Sequence, residues 1–130
     1  MSALSETLAI AASGMRAQAE RLRFISENVA NEDTSGYRRK VTAFEEVVEA
    51  GRRTGMVQTG PVELDQSDVA RVFDPGHPLA DPNGYYDGSN VNLVVEIADA
   101  REAQRSYEAN LRVFDQSRQM TQNLLDLLRR

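Results

Sequence analysis

The chain has 130 residues, room for about one domain, with a formal net charge of -5 and no cysteine. A mildly acidic chain has no general field to hold a phosphate backbone, which argues against nucleic acid as a partner. Absence of Cys excludes disulfides, thiolate metal sites and a cysteine nucleophile, and it suits a protein that travels unfolded without being trapped by oxidation.

The hydrophobic fraction, 41%, is ordinary, but much of it is alanine. There is no Trp, and only four Phe and four Tyr, so a thick central core is not expected. No stretch reaches the roughly 18 apolar residues of a membrane span. Glu6 stands where a secretory signal carries Lys or Arg. The expectation is a protein that is either cytosolic or exported by a route that cleaves no signal.

From Ser2 to Ala30 the apolar residues fall at helical spacing. Leu8, Met15, Leu22 and Val29 are seven apart, and Leu4, Ala11, Gln18 and Ile25 form the companion row. These are the a and d positions of a heptad, with Gln18 the one polar member. Gly14 is the single helix-weakening residue, at about 1 kcal/mol against Ala. The run Asn31-Glu32-Asp33-Thr34-Ser35-Gly36 ends the helix with turn formers.

The middle, Tyr37 to about Asn92, holds all four Pro and most of the Gly. Val41–Val48 and Met56–Leu64 read as short strands, the second with Gly60-Pro61 inside it, and Val69–Phe73 as a third. Asp74-Pro75-Gly76-His77-Pro78 and Asp81-Pro82-Asn83-Gly84, followed by Tyr85, are turn sequences. The expectation is a small β element followed by an extended, ordered loop.

From Leu93 the helical period returns. Leu93, Ala100, Tyr107, Phe114, Thr121 and Leu128 are seven apart, and Ile97, Gln104, Leu111, Arg118 and Leu125 interleave. A neighbouring stripe runs through Val113, Met120, Leu124 and Leu127, making the apolar face wider than a two-stranded seam needs. Asn90 or Asn92 can cap the start, Glu96 places negative charge near the first turn, and Arg129 and Arg130 suit the far end of the helix dipole.

Length then bears on purpose. At 1.5 Å per residue the two helices are roughly 40 and 50 Å long. A compact globule of this chain length has a radius of gyration of about 14 Å, so it is only roughly 36 Å across. Helices of that length pair in coiled-coil fashion and still leave apolar surface for other chains. The expected fold is mostly α, divided as 1–36 (helix and turn), 37–92 (small β element and loop) and 93–130 (second helix).

The helix exit carries a dense set of special residues. Asn28 and Asn31 are able to bond free carbonyls and tolerate a left-handed backbone. Gly36 permits positive φ. Tyr37 buries a ring while keeping its hydroxyl bonded. Together they fix the angle at which the helix leaves the middle section, which has to be the same in every subunit of a repeating assembly.

Candidate chemical sites are weak. His77, the only histidine, sits in a turn, and one His without Cys makes a structural zinc site improbable. Asp74, Asp81 and Asp87 lack the closing Glu of a calcium loop. Gly51–Gly60 contains no Gly-Lys-Ser/Thr and is no phosphate loop. Arg38-Arg39-Lys40 reads first as a solvated edge and second as a contact for an acidic partner.

The run Ser13-Gly14-Met15, then Asn28-Val29-Ala30-Asn31 and Thr34-Ser35-Gly36-Tyr37, resembles the N-terminal signature of the bacterial flagellar axial proteins, the rod and hook family. Arg105-Ser106-Tyr107-Glu108-Ala109-Asn110, with Val113-Phe114 and Met120, resembles that family's closing helix. Asp74–Asp81 with Asn83-Gly84-Tyr85, followed by Asn90–Val94, is similar to its short proximal-rod members. Ser35 replaces a usual Pro, Ile97-Ala98 replaces a frequent Glu-Met, and residues 42–70 carry no match.

The resemblance implies a structural subunit, not an enzyme, in the proximal rod of the flagellar basal body. It implies export through the flagellar type III apparatus without signal cleavage, and terminal helices that line a torque-transmitting tube across the periplasm. It implies partners that are copies of the chain and neighbouring rod proteins, and no cofactor or metal. The residues expected to carry assembly and packing are Leu8, Met15, Leu22, Ile25, Val29, Ile97, Tyr107, Leu111, Phe114, Met120, Leu124, Leu125 and Leu128. The signature turn is Asn28, Asn31, Thr34, Gly36 and Tyr37. A different rod or hook subunit is the alternative within the class. Outside it, a small hydrolase acting on peptidoglycan through Asp or Glu and a free-standing coiled-coil adaptor remain open.

Overall fold

The computed structural model describes residues 3–129; Ser2 and Arg130, named above, lie outside them. Two long helices carry the molecule, α1 (Ala3–Ala30) and α2 (Leu93–Leu128). Between them come six short strands: β1 (Lys40–Val41), β2 (Phe44–Glu49), β3 (Arg52–Thr59), β4 (Glu63–Leu64), β5 (Arg71–Phe73) and β6 (Tyr85–Asp87). The described strands form three antiparallel pairs, β1 with β4, β2 with β3 and β5 with β6. No helix among the described residues is long and apolar enough to cross a membrane.

The middle differs in detail from its sequence reading. The expected strand Met56–Leu64 is broken at Gly60-Pro61, because proline has no N–H to continue a ladder. Its first part pairs with β2 as a hairpin closed by Ala50 and Gly51, both at positive φ (51° and 76°). Its last part is β4, which pairs with β1. Residues 74–84, expected within an extended, ordered loop, are the closed connection of the β5–β6 hairpin, with Phe73 opposite Tyr85.

α1 and α2 lie antiparallel. Gly14 meets Asn110, and Arg21 reaches Asp99. That register brings Ala3 near Thr121, so the last turns of α2 run past the described start of α1. The β2–β3 hairpin covers another side of α1. The Ser13 hydroxyl donates to Ile10 O (2.7 Å) and accepts from the Val57 N–H of β3 (3.1 Å).

The seam between the helices is unlike the expected one on the α2 side. The Leu93, Ala100, Tyr107, Phe114 and Thr121 row faces α1 and is half-buried. Its companion is not Ile97, Gln104, Leu111, Arg118 and Leu125, which are exposed, but Glu96, Ala103, Asn110 and Ser117. On α1 the buried set is Ala11, Ser13, Gly14, Ala17, Phe24, Ile25 and Asn28. Small residues let the backbones approach: a Cβ on Gly14 would stand 2.7 Å from Asn110 Nδ2. Close approach brings many dispersion contacts, but little apolar area is removed from water.

Candidate functional site: helix faces, turn and loop

The C-terminus of α1 is built on polar bonds. Asn31 Nδ2 donates to Glu27 O (2.8 Å), satisfying a free helix-end carbonyl, and Thr34 Oγ1 donates to Asn31 Oδ1 (3.1 Å). Asn28, 1% exposed, is the centre of the turn. Its Oδ1 accepts from the Tyr37 hydroxyl (2.9 Å) and the Lys40 N–H (2.8 Å), and its Nδ2 donates to Lys40 O (3.0 Å). Gly36 has φ of 73° and donates its N–H to Asp87 O and Gly88 O, tying the turn to β6. The Ser89 hydroxyl bonds Glu32 O, and the Asn90 N–H donates to Tyr37 O. The chain entering α2 is thereby fastened to the chain leaving α1.

A half-buried charge cluster around the buried Glu96 completes this end. Arg39 Nε donates to Glu96 Oε1 at 2.7 Å, and its other nitrogens lie 3.3 Å from Asp65 and 3.6 Å from Asp99. Its backbone N–H donates to Asn90 Oδ1 (2.7 Å). Glu96 is 0% exposed, and its Oε2 has no hydrogen-bond partner among the described residues. Burial works against the charge on Arg39, but the hydrogen bonds and charges of Glu96 and Asp65 outweigh it and hold the guanidinium above its ordinary value. Arg21 adds a second cation, 3.7 Å from Asp99 and 3.6 Å from Glu102.

The solvated-edge reading of Arg38-Arg39-Lys40 is therefore overturned. Arg38 donates to the carbonyls of Asp65 and Ser67, Arg39 is half-buried among the carboxylates of its cluster, and Lys40 pairs with Glu27 at 2.8 Å. The partners are spaced 13 to 57 residues away in sequence, so local reading had no signal for them. Glu96 serves this cluster beside its place near the helix start. The cap is Asn92, whose Oδ1 accepts from Val94 N (3.0 Å) and Val95 N (3.5 Å).

The 74–84 connection is tightly tied. Asp74 N donates to Gly84 O and Asp81 N to Tyr85 O, while Asp81 Oδ1 accepts from the N–H groups of Asn83 and Tyr85. Those backbone bonds, the one from Tyr85 first, together with Arg71, hold the Asp81 carboxyl below its usual range. Gly84 has φ of 87°, and a Cβ there would stand 2.8 Å from the Phe73 ring. His77 stacks on Tyr86 with ring centroids 3.8 Å apart, and its Nδ1 accepts from Leu79 N. Pro75, Gly76 and Pro78 are exposed around it. No group of acidic, His or Cys side chains among the described residues is placed to hold a metal ion.

The expected packing residues divide into two sets. Leu8, Met15, Leu22, Tyr107 and Phe114 are half-buried, and Ile25 is buried. Met15, Ala12, Ala19, Tyr107 and Phe114 line one shallow groove along the seam. Val29, Ile97, Leu111, Met120, Leu124, Leu125 and Leu128 are exposed. Exposure rises to 82% at Leu128. Val94, Val113 and Leu127 are exposed apolar residues of the same helix. The row the sequence reading missed, Glu96, Ala103, Asn110 and Ser117, keeps a seven-residue spacing, but small and polar types do not register as a hydrophobic period.

Comparison with known proteins gives the family. Residues 8–38 match the family described as flagella basal body rod protein, and residues 83–127 match the family described as flagellar basal body rod FlgEFG protein C-terminal. The flagellar basal-body rod protein FlgC of Agrobacterium fabrum is 40% identical over 136 aligned residues, covering 99% of this chain and 98% of the relative. The FlgC of Salmonella typhimurium is 36% identical, covering 96% and 98%. That of Borreliella burgdorferi is 32% identical, covering 96% and 97%. The two matched segments coincide with α1 and its turn, and with β6 and α2. The chain belongs to the FlgC family of flagellar basal-body rod proteins and is a structural rod subunit, not an enzyme.

Proposed function

We propose that this subunit builds the proximal part of the rod through its two terminal helices and helps to transmit torque along the axis across the periplasm. One observation carries the reading. The described part of α2 extends beyond the described start of α1 and carries Leu124, Leu125, Leu127 and Leu128 at 51% exposure or more. Covering each large apolar side chain contributes about 1.5–3 kcal/mol, so this end gains most from a neighbouring chain. Torque is then shared over many modest contacts along the helices.

In this reading residues 1–36 and 93–130 are the assembly parts, and 37–92 sets their mutual angle. Asn28, Asn31, Thr34, Gly36 and Tyr37 hold that angle. Ile25, Met15, Tyr107 and Phe114 pack within the subunit, and Ile97, Leu111, Met120, Leu124, Leu125 and Leu128 meet copies of the chain or neighbouring rod proteins. The subunit reaches the rod through the flagellar type III export apparatus, without signal cleavage. Imaging of basal bodies from cells that carry a tagged chain, or lack it, tests the reading. The tag is expected in the proximal rod, and deletion is expected to leave no rod beyond that level. Complete rods in the deletion strain would overturn it.

A further inference from the structure

His77, the only histidine of the chain, is held on two sides. Its ring lies stacked on Tyr86 of β6, with centroids 3.8 Å apart and planes 9° from parallel. Its Nδ1 accepts from the Leu79 N–H at 3.1 Å. A ring nitrogen that accepts carries no proton, so the ring is the neutral Nε2–H form. His77 and Tyr86 are half-buried, while Leu79 is 65% exposed.

The two contacts answer a proton in opposite ways. An imidazolium donates from both nitrogens, so the bond from Leu79 is lost and two N–H groups are set against each other. The stack is kept, because a cation over a tyrosine face is attracted by the ring. The backbone is also held on either side. The His77 N–H donates to Asp74 O and the Ala80 N–H to His77 O, both at 3.0 Å. What is left to turn is the Pro78–Leu79 peptide. We propose that His77 makes the 77–80 turn a proton-operated switch: on acidification the ring stays on Tyr86, the Leu79 N–H is released, and the exposed Leu79 side chain is re-aimed on the hairpin surface.

The rest of the hairpin does not follow. The charged groups on the segments around the ring are Asp74 and Asp81 of the same connection, Arg71 of β5 and Asp87 of β6; Tyr85 and Tyr86 are the other titratable groups. Arg71 pairs with Asp81 and Asp87 at 2.8 and 2.7 Å. The Asp81 carboxyl, held below its usual range first by the backbone bond from Tyr85, keeps its charge while a histidine changes its own. Asp74 has no ion pair among the described residues, so the test has to separate its response from that of His77.

The test is an NMR titration of the full chain, labelled with 15N, from about pH 8 to pH 5. At the alkaline end the His77 ring nitrogens are expected to report the Nε2–H tautomer. The Leu79 amide proton is expected to move upfield with the same midpoint as the His77 ring. The Gly84 and Tyr85 amides, both bonded to Asp81, are expected to keep their protection from solvent exchange. In His77→Asn the side-chain oxygen still accepts from the N–H two residues on but takes up no proton, so the Leu79 response is expected to be lost. An Nδ1–H tautomer, a Leu79 amide that does not move, or a response that survives in His77→Asn would overturn the proposal. Loss of protection at Gly84 and Tyr85 together with Leu79 would also overturn it, because the whole hairpin would then be opening.

Discussion

The two ends of the helix pair are held by opposite means. At the closed end, Asn28, Arg39, Glu96 and Asn90 join four segments through directed polar bonds. At the open end, leucines stand in solvent with no partner in the described chain. Polar networks in low dielectric specify geometry and are costly when incomplete, whereas apolar surface is adaptable and gains simply from being covered. A subunit that has to present one angle and still bind neighbours is served by that division. In the proposed reading, directed bonds set the angle and the uncommitted apolar area supplies the association energy.

The largest effect is expected at the closed end. Arg39→Met removes the cation beside a fully buried Glu96 and should destabilise the subunit by about 3–5 kcal/mol, read by urea unfolding. Adding Glu96→Met removes the stranded charge and should recover most of that loss. A double variant no more stable than the single would mean that the cluster is not a pair in the sense described.

A smaller effect is expected at the turn. Gly36 has φ of 73° with open space where a Cβ would stand, so Gly36→Val meets no clash. The cost is the left-handed backbone alone, about 1–2 kcal/mol. Unchanged thermal unfolding together with normal motility would show that the turn is not geometrically demanding.

The smallest effect is expected in the seam. Gly14→Ala gains about 1 kcal/mol of helix propensity, but its methyl meets the Asn110 amide. The single change should be nearly neutral, and Gly14→Ala with Asn110→Ala should be more stable than the parent in thermal melts. A large loss in the single variant would mean that Asn110 has no room to turn aside.

The same contrast explains what was legible in the sequence. Helix extents followed from heptad rows and flanking turn formers, and Leu93, Ala100, Tyr107, Phe114 and Thr121 do face α1. The second α2 row was misplaced by one position because Glu96, Ala103, Asn110 and Ser117 carry no hydrophobic signal, while exposed Ile97, Leu111 and Leu125 do. The Arg39 cluster was invisible because its partners Asp65 and Glu96 lie 26 and 57 residues away. β6 was hidden because three residues after a turn are too few to show a period. The turn residues were legible because Asn, Gly and Tyr each have a local reason to be there. That Asn28 bonds the backbone of Lys40 across the turn was not.

The central claim is that the open end of α2 is an assembly surface. Leu124→Asp with Leu128→Asp places two charges there without touching the seam or the closed end. Unpaired charges buried in an interface cost several kcal/mol, enough to abolish a subunit contact. The measurement is a cell fractionation that follows the variant into the periplasm, with a count of basal bodies and a motility assay. The account predicts a subunit that is still exported, few or no complete rods, and cells that do not swim; normal rods and normal swimming would contradict it.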